Sequence, residues 1–122
     1  MDRFNADRLK VGVCQLRQTC DMEDNVERAL GLLAGAFDKG AGICVLPEMF
    51  LCPYEPAAIT SAAPRSGAAL ERIRTLAAQR GGYVVAGSLP WPSGEARPFN
   101  RSFVIGPDGS IIFHHDKIHL FD

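Results

Sequence analysis

The chain carries almost no net charge, no Cys-x-x-Cys pair, no Gly-x-Gly-x-x-Gly loop and no long apolar run near its start. Each absence removes a class of function. A formal net charge of -1 leaves no broad basic field to draw in phosphate backbones or anionic lipid headgroups, so neither nucleic acid nor a membrane is expected as a partner. The first ten residues include Asp2, Arg3, Asp7, Arg8 and Lys10, which speaks against a secretory signal peptide or a spanning helix and makes a cytoplasmic location the expectation. The four cysteines lack the spacing of a structural zinc site or a dithiol redox motif. Cys14 and Cys44 lie within apolar, strand-like runs, where cysteine behaves as a small hydrophobe, and all four are expected as reduced thiols. No phosphate loop follows the first strand, and Gly40-Ala41-Gly42 precedes a strand rather than a helix, which disfavours a doubly wound nucleotide-binding domain. There is no internal repeat and no low-complexity segment.

What is present is the composition of one ordinary globular domain: 122 residues, 47% hydrophobic and 22% charged. Residues 1–8 read as an amino-terminal tail. Leu9 to Gln15 is a mostly apolar run suited to a strand buried on at least one face. Asp21 is placed to cap a helix with Glu23 and Asp24 in its first turn, and Val26, Leu30, Leu33 and Phe37 then repeat at helical spacing until Gly40. Ile43 to Leu46 forms a second apolar run closed by Pro47, and the strand-helix-strand order implies a right-handed parallel crossover. From Met49 to Pro64, prolines at 53, 56 and 64 without periodicity predict a long loop over the strand ends. Leu70, Ile73, Leu76 and Ala77 mark a second helix ending at Gly81-Gly82, and Tyr83 to Ser88 is a third strand. Phe99 to Ile105 and Ser110 to His115 flank Gly106-Pro107-Asp108-Gly109, the signature of a tight turn between antiparallel strands. The sum is an incomplete layered α/β unit, parallel strands with crossover helices followed by a hairpin, with an apolar sheet face that nothing in 1–122 covers. The expectation is that the chain is a fragment, a truncated gene product or a partial sequence.

Chemistry enters where a carboxylate follows a buried strand and a rigid proline, at Leu46-Pro47-Glu48-Met49-Phe50, because open α/β sheets bind ligands at that edge. Held among Leu46, Met49 and Phe50, Glu48 would lose water, which favours its neutral form and brings it toward the working range of a general base. Lys117 ends the last strand-like run, on the same face as His115 and His119 by strand alternation. A cation there suits the negative charge that develops on a carbonyl oxygen during acyl transfer. The residues alone equally allow a solvent-facing glutamate and a surface lysine, the commoner fates of those types. His115 and His119 stand at i, i+4, but that spacing shares a face only on a helix and no carboxylate or cysteine cluster completes a metal site.

The strings Val11-Gly12-Val13-Cys14-Gln15, Leu46-Pro47-Glu48, Gly87-Ser88-Leu89-Pro90, Phe99-Asn100-Arg101-Ser102, Gly106-Pro107-Asp108-Gly109 and Lys117-Ile118-His119-Leu120-Phe121-Asp122 occur in the order seen in nitrilase-superfamily carbon-nitrogen hydrolases. Over nearly its whole length the chain resembles the amino-terminal half of that family, most closely the omega-amidases, as in Glu48-Met49-Phe50 followed by Pro53-Tyr54. The resemblance implies a partial α-β-β-α sandwich over 9–122 and hydrolysis of a small amide, such as an omega-amide of a dicarboxylic acid, by a Glu-Lys-Cys triad. It assigns Glu48 as general base and Lys117 as the oxyanion-stabilising lysine, with no metal or organic cofactor. The cysteine has no counterpart here, because relatives carry it downstream of the Lys-x-His-Leu-Phe segment. The isolated chain is therefore expected to be inactive, and a non-catalytic homologue that binds a partner through the open apolar face stays as the alternative. Tyr54 and Phe50 are candidate walls of the substrate pocket, although packing roles fit each equally. Homodimers are common in the family and are expected of the full-length protein. One departure stands out: Asp116 occupies the place before the lysine where relatives usually carry a basic residue, and an adjacent anion favours a charged lysine.

Overall fold

The computed structural model describes residues 3–5 and 7–117. Helix α1 (Met22–Asp38) starts as its sequence dictates: the Asp21 carboxylate accepts the Asp24 N–H at 3.1 Å, and Glu23 and Asp24 lie in the positive first turn. Its inner stripe is Val26, Ala29, Leu33 and Phe37, all buried. Fully burying side chains the size of Leu33 and Phe37 is worth roughly 1.5–3 kcal/mol each, so packing rather than propensity holds the helix. Lys39 and Gly40, the latter at φ 93°, turn the chain out of it.

Helix α3 (Ser66–Arg80) is its partner on the same face of the sheet, burying Ala69, Leu70, Ile73 and Ala77 and ending on Gly81 at φ 66°. Between them lies a short helix, α2 (Pro56–Ala62), and a 3-10 turn, Ala63–Arg65. The long irregular loop expected over 49–64 is thus corrected to a turn followed by a helix. Pro56 sits at the first helical position, where its missing N–H and fixed φ favour helix rather than break it, and Ile59, Ala62 and Ala63 are buried beneath.

Strands β3 (Val11–Val13), β4 (Ile43–Val45), β5 (Tyr83–Trp91), β6 (Phe99–Ile105) and β7 (Ile111–Asp116) form one sheet in that order, with β3, β4 and β5 parallel and β5, β6 and β7 antiparallel. The mixed α/β architecture and the hairpin expected from the sequence are both there. The register pairs Gly12 with Cys44 and Cys44 with Val84 in one row. That row faces the helices: a Cβ on Gly12 would meet the Ala36 Cβ at 2.8 Å. The alternate rows, Val11-Ile43-Tyr83 and Val13-Val45-Val85, face the other way, and Val13 is 73% exposed. Among the described residues, helices therefore cover one face of the sheet and leave the other open.

Strand β5 runs three residues beyond the expected Ser88, through an irregularity between Ala86 and Leu89 that lets Pro90 pair with Asn100. Residues 3–5, 7 and 8, within the segment set apart above as a tail, are attached. Phe4–Asn5 (β1) and Arg8–Leu9 (β2) pair as a small hairpin, and the Arg3 guanidinium donates to the Arg80, Phe37 and Ala41 carbonyls at 2.7, 2.7 and 3.0 Å. One cation thereby satisfies carbonyls at the ends of both α1 and α3. Among the described residues no helix is long and apolar enough to cross a membrane.

Candidate functional site

Glu48 lies one turn beyond β4 and its backbone is fixed from three sides. Leu46 N–H still reaches the Val85 carbonyl at 2.9 Å, extending the parallel ladder. Met49 then takes φ 50°, a left-handed conformation that a non-glycine residue holds only when its surroundings enforce it. Those surroundings are the Ser88 hydroxyl, which accepts the Met49 N–H at 2.9 Å, and the Gln18 amide, which donates to the Met49 carbonyl at 2.9 Å. Gly87 completes the seat, since a Cβ there would stand 1.9 Å from the Pro47 oxygen. Met49, Phe50 and Leu51 plug into the core with no exposure. The same left-handed turn sends Glu48 outward.

The desolvation expected for Glu48 is corrected by this geometry. Its apolar neighbours point inward and its side chain is 52% exposed. The strands opposite bring the cation. On the open face, β6 presents Asn100, Ser102 and Val104, and β7 presents Phe113 and His115 opposite Val104 and Ser102. Lys117 follows on that face, its N–H bonded to the Asn100 carbonyl at 2.9 Å. Lys117 Nζ then lies 3.4 Å from Glu48 Oε1, and Asn100 Nδ2 donates to the same oxygen at 2.9 Å.

These groups line a cleft of about 210 Å³ together with Gly87, Ser88, Ser102 and His115. A larger hollow of about 460 Å³ lies between α1 and α3, but its charged groups, Glu27 and Arg72, are already paired with each other. Phe50 is fully buried and Tyr54 is 50% exposed, and neither is among the residues lining the cleft. The structure brings Glu48 and Lys117 together and leaves those two aromatics outside. His119 falls outside the described residues. Among the described residues no three His, Cys, Asp or Glu side chains gather to hold a metal.

Asp116 does not face Lys117. It points to the helix side and grips Arg101 directly opposite on β6, with O···N distances of 2.6 and 2.9 Å. The guanidinium holds the Asp116 carboxyl below its ordinary range, and Arg101 also lies over the Trp91 and Phe99 rings at 5.9 and 5.2 Å. The influence of Asp116 on Lys117 expected from adjacency in the sequence is corrected accordingly, because alternation sends neighbours to opposite faces.

All four thiols are free. Burial raises the Cys14 thiol and pushes Cys44 and Cys52 up to about 11, which suppresses the thiolate. Cys20 is exposed, and none of the four lines the cleft. Sequence reasoning missed Asn100, Ser88 and Gln18 as parts of the site. A glycine inside a strand run, as at Gly87, signals close backbone approach and was the available clue.

A family model described as carbon-nitrogen hydrolase matches residues 10–122. The chain is 38% identical over 100 residues to the omega-amidase NIT2 of Xenopus tropicalis, covering 81% of this chain and 36% of that protein. Among solved structures it resembles the NitFhit protein of C. elegans, with TM-score 0.82 and 27% identity over 92% of this chain and 28% of that one. It also resembles a mutant amidase from Nesterenkonia sp. AN1 that carries the acetamide moiety of fluoroacetamide covalently at its active-site cysteine. There the TM-score is 0.80 and the identity 25%, over 93% of this chain and 44% of the other. The chain thus spans less than half the length of each of these proteins.

Proposed function

Because the chain belongs to the carbon-nitrogen hydrolase family, we propose that Glu48 and Lys117 are the proton-transfer and anion-stabilising members of an amide-hydrolysing site whose cysteine nucleophile lies outside these 122 residues. The observation that carries this reading is the 3.4 Å approach of Lys117 Nζ to Glu48 Oε1 on the wall of a small cleft at the strand ends. An ion pair this exposed contributes only about 0–1 kcal/mol to stability, so a structural role is a weak reason for it.

In the proposed reaction Glu48 takes the proton of the cysteine thiol, and the thiolate attacks the amide carbonyl carbon. Lys117 and a backbone N–H hold the anion that forms on the oxygen. Glu48 returns the proton to the departing nitrogen, which leaves as ammonia. It then draws a proton from water, whose oxygen attacks the thioester, frees the carboxylic acid and restores the thiol. On this scheme Glu48 accepts and returns the proton at every step, and the thiol itself comes from outside these residues. The suppressed thiolates of Cys14, Cys44 and Cys52 support a nucleophile elsewhere. Similarity to an omega-amidase supports an omega-amide of a dicarboxylic acid as substrate, and the full protein is proposed to act as a homodimer. The test is to express the coding sequence extended past Asp122 and to measure ammonia release from omega-amides of several chain lengths. Absence of a downstream cysteine-bearing segment, or no release from any of them, sinks the reading.

A second reading is favoured by one observation, the open sheet face with Val11, Val13 and Phe113 49%, 73% and 58% exposed. On this reading the chain is a non-catalytic homologue that binds a partner there. Sedimentation of the 122-residue chain over a range of concentrations discriminates, since a persistent monomer argues against an interface on that face.

A further inference from the structure

We infer that Asn100 is the positioning residue of this site, holding Glu48 through its side chain and Lys117 through its backbone. The inference rests on the proposed partnership of Glu48 with Lys117 and deepens it. Both charged groups end long, rotatable side chains that are about half exposed, 52% for Glu48 and 48% for Lys117. Fixing such side chains costs more in rotamer freedom than an exposed ion pair returns. Something rigid must set their separation, and Asn100 is 2% exposed.

It acts through two arms. The main-chain carbonyl accepts the Lys117 N–H at 2.9 Å, which fixes where the lysine leaves β7. The side-chain Nδ2 donates to Glu48 Oε1 at 2.9 Å, the oxygen that also faces Lys117 Nζ. The two oxygens of Glu48 are thereby made different. Oε1 is bound from two sides, whereas Oε2 has no hydrogen-bond partner among the described residues and is left as the oxygen that takes and returns the proton.

A second observation supports a role beyond packing. Asn100 Oδ1 is buried with no partner among the described residues. A buried amide oxygen without a partner is destabilising, so an apolar side chain of similar size would suit the core better. The amide is useful here for the one thing an isostere cannot do, which is to donate to Glu48. Of the other residues that line the cleft, Lys117 alone joins Asn100 in reaching a Glu48 carboxylate oxygen among the described residues.

NMR on the labelled 122-residue chain tests this without any need for turnover. The parent should show a nuclear Overhauser contact between the Glu48 Hγ and Lys117 Hε protons. Asn100→Asp sets a carboxylate against Glu48, and Asn100→Ala removes the donor, so the contact should weaken several-fold in both. The Lys117 backbone amide should stay protected, because its acceptor is a main-chain carbonyl present in every variant. Glu48→Ala supplies the reciprocal measurement: the Asn100 side-chain amide, having lost its acceptor, should exchange at least about tenfold faster. An undiminished contact in both Asn100 variants overturns the inference. Should Lys117 lose protection in those variants, the Glu48→Ala result decides alone, and unchanged Asn100 exchange overturns the inference. Failure of the functional reading shows separately, as absence of ammonia release from the extended protein with these contacts intact.

Discussion

Arg101 and Asp116 face each other across β6 and β7, joined by two bonds of 2.6 and 2.9 Å, and each is the immediate chain neighbour of a residue of the cleft, Asn100 and Lys117. Strand alternation puts the bonded pair on the helix side of the sheet and the cleft residues on the open side. The pair therefore clamps the β6 and β7 ends against which the site is built. It also explains an acidic residue directly before a lysine that must reach a carboxylate.

Asp116→Asn keeps the shape but removes the charge, and the Arg101 guanidinium, 18% exposed by side chain, loses its counterion. The expected loss is on the order of 1–2 kcal/mol, measured by urea denaturation near neutral pH. The pH dependence has a definite sign. The Asp116 carboxyl is held below its ordinary value in the fold, so its contribution is fully present above the unfolded value, about 3.9. It is lost as pH falls through the folded value. The parent should lose more stability than Asp116→Asn on acidification from about pH 5 to pH 2, and parallel curves would remove the clamp.

Gly87→Ala is expected to be among the most damaging single changes in the chain. The new Cβ would sit 1.9 Å from the Pro47 oxygen and 2.3 Å from that of Leu46, and both obstacles are backbone. Relief requires β5 to part from the turn that carries Glu48, at a cost of about 3 kcal/mol or more. Ser88→Ala acts on the same turn by leaving the buried Met49 N–H without an acceptor, for about 1–3 kcal/mol. Thermal melts of the two variants check the order, with Gly87→Ala the lower.

Much of this architecture was legible in the residues. Asp21 with Glu23 and Asp24 announces α1, and Gly106-Pro107-Asp108-Gly109 places the hairpin to within a residue at β7. Helix α2 was not legible, because Pro56 signals a break unless the residues after it are known to fold inward. The reach of β5 was hidden for a similar reason: Pro90 argues against a continuing strand unless an irregularity precedes it. Glu48 and Lys117 stood out through their family strings, but the surroundings of Glu48 depend on one backbone angle, at Met49, that no periodicity encodes. Asn100 needed the register of β6 with β7 and the path of the turn after β4 together, and neither is written in its own neighbours.

The cysteines should divide by burial. Cys20 is exposed on the stretch before α1, whereas Cys14, Cys44 and Cys52 are buried, the last two with thiols pushed up to about 11. A disulfide exchange reagent at pH 8 should titrate close to one equivalent quickly and the remaining three only on unfolding. Rapid modification of Cys44, located by peptide mapping, would contradict the packing of α1 on β4, and rapid modification of Cys52 would contradict the burial of the turn that follows β4.

Glu48→Gln and Lys117→Met separate stability from chemistry. The ion pair is about half exposed on both sides, so each change should shift the unfolding free energy of the 122-residue chain by less than about 1 kcal/mol. In the extended protein the same changes would remove the proposed proton acceptor or the cation proposed to meet the developing oxyanion. Each should lower ammonia release by about two orders of magnitude or more. Were stability to fall sharply while turnover in the extended protein survived, the pair would be a structural bridge and the amide chemistry would have to reside elsewhere.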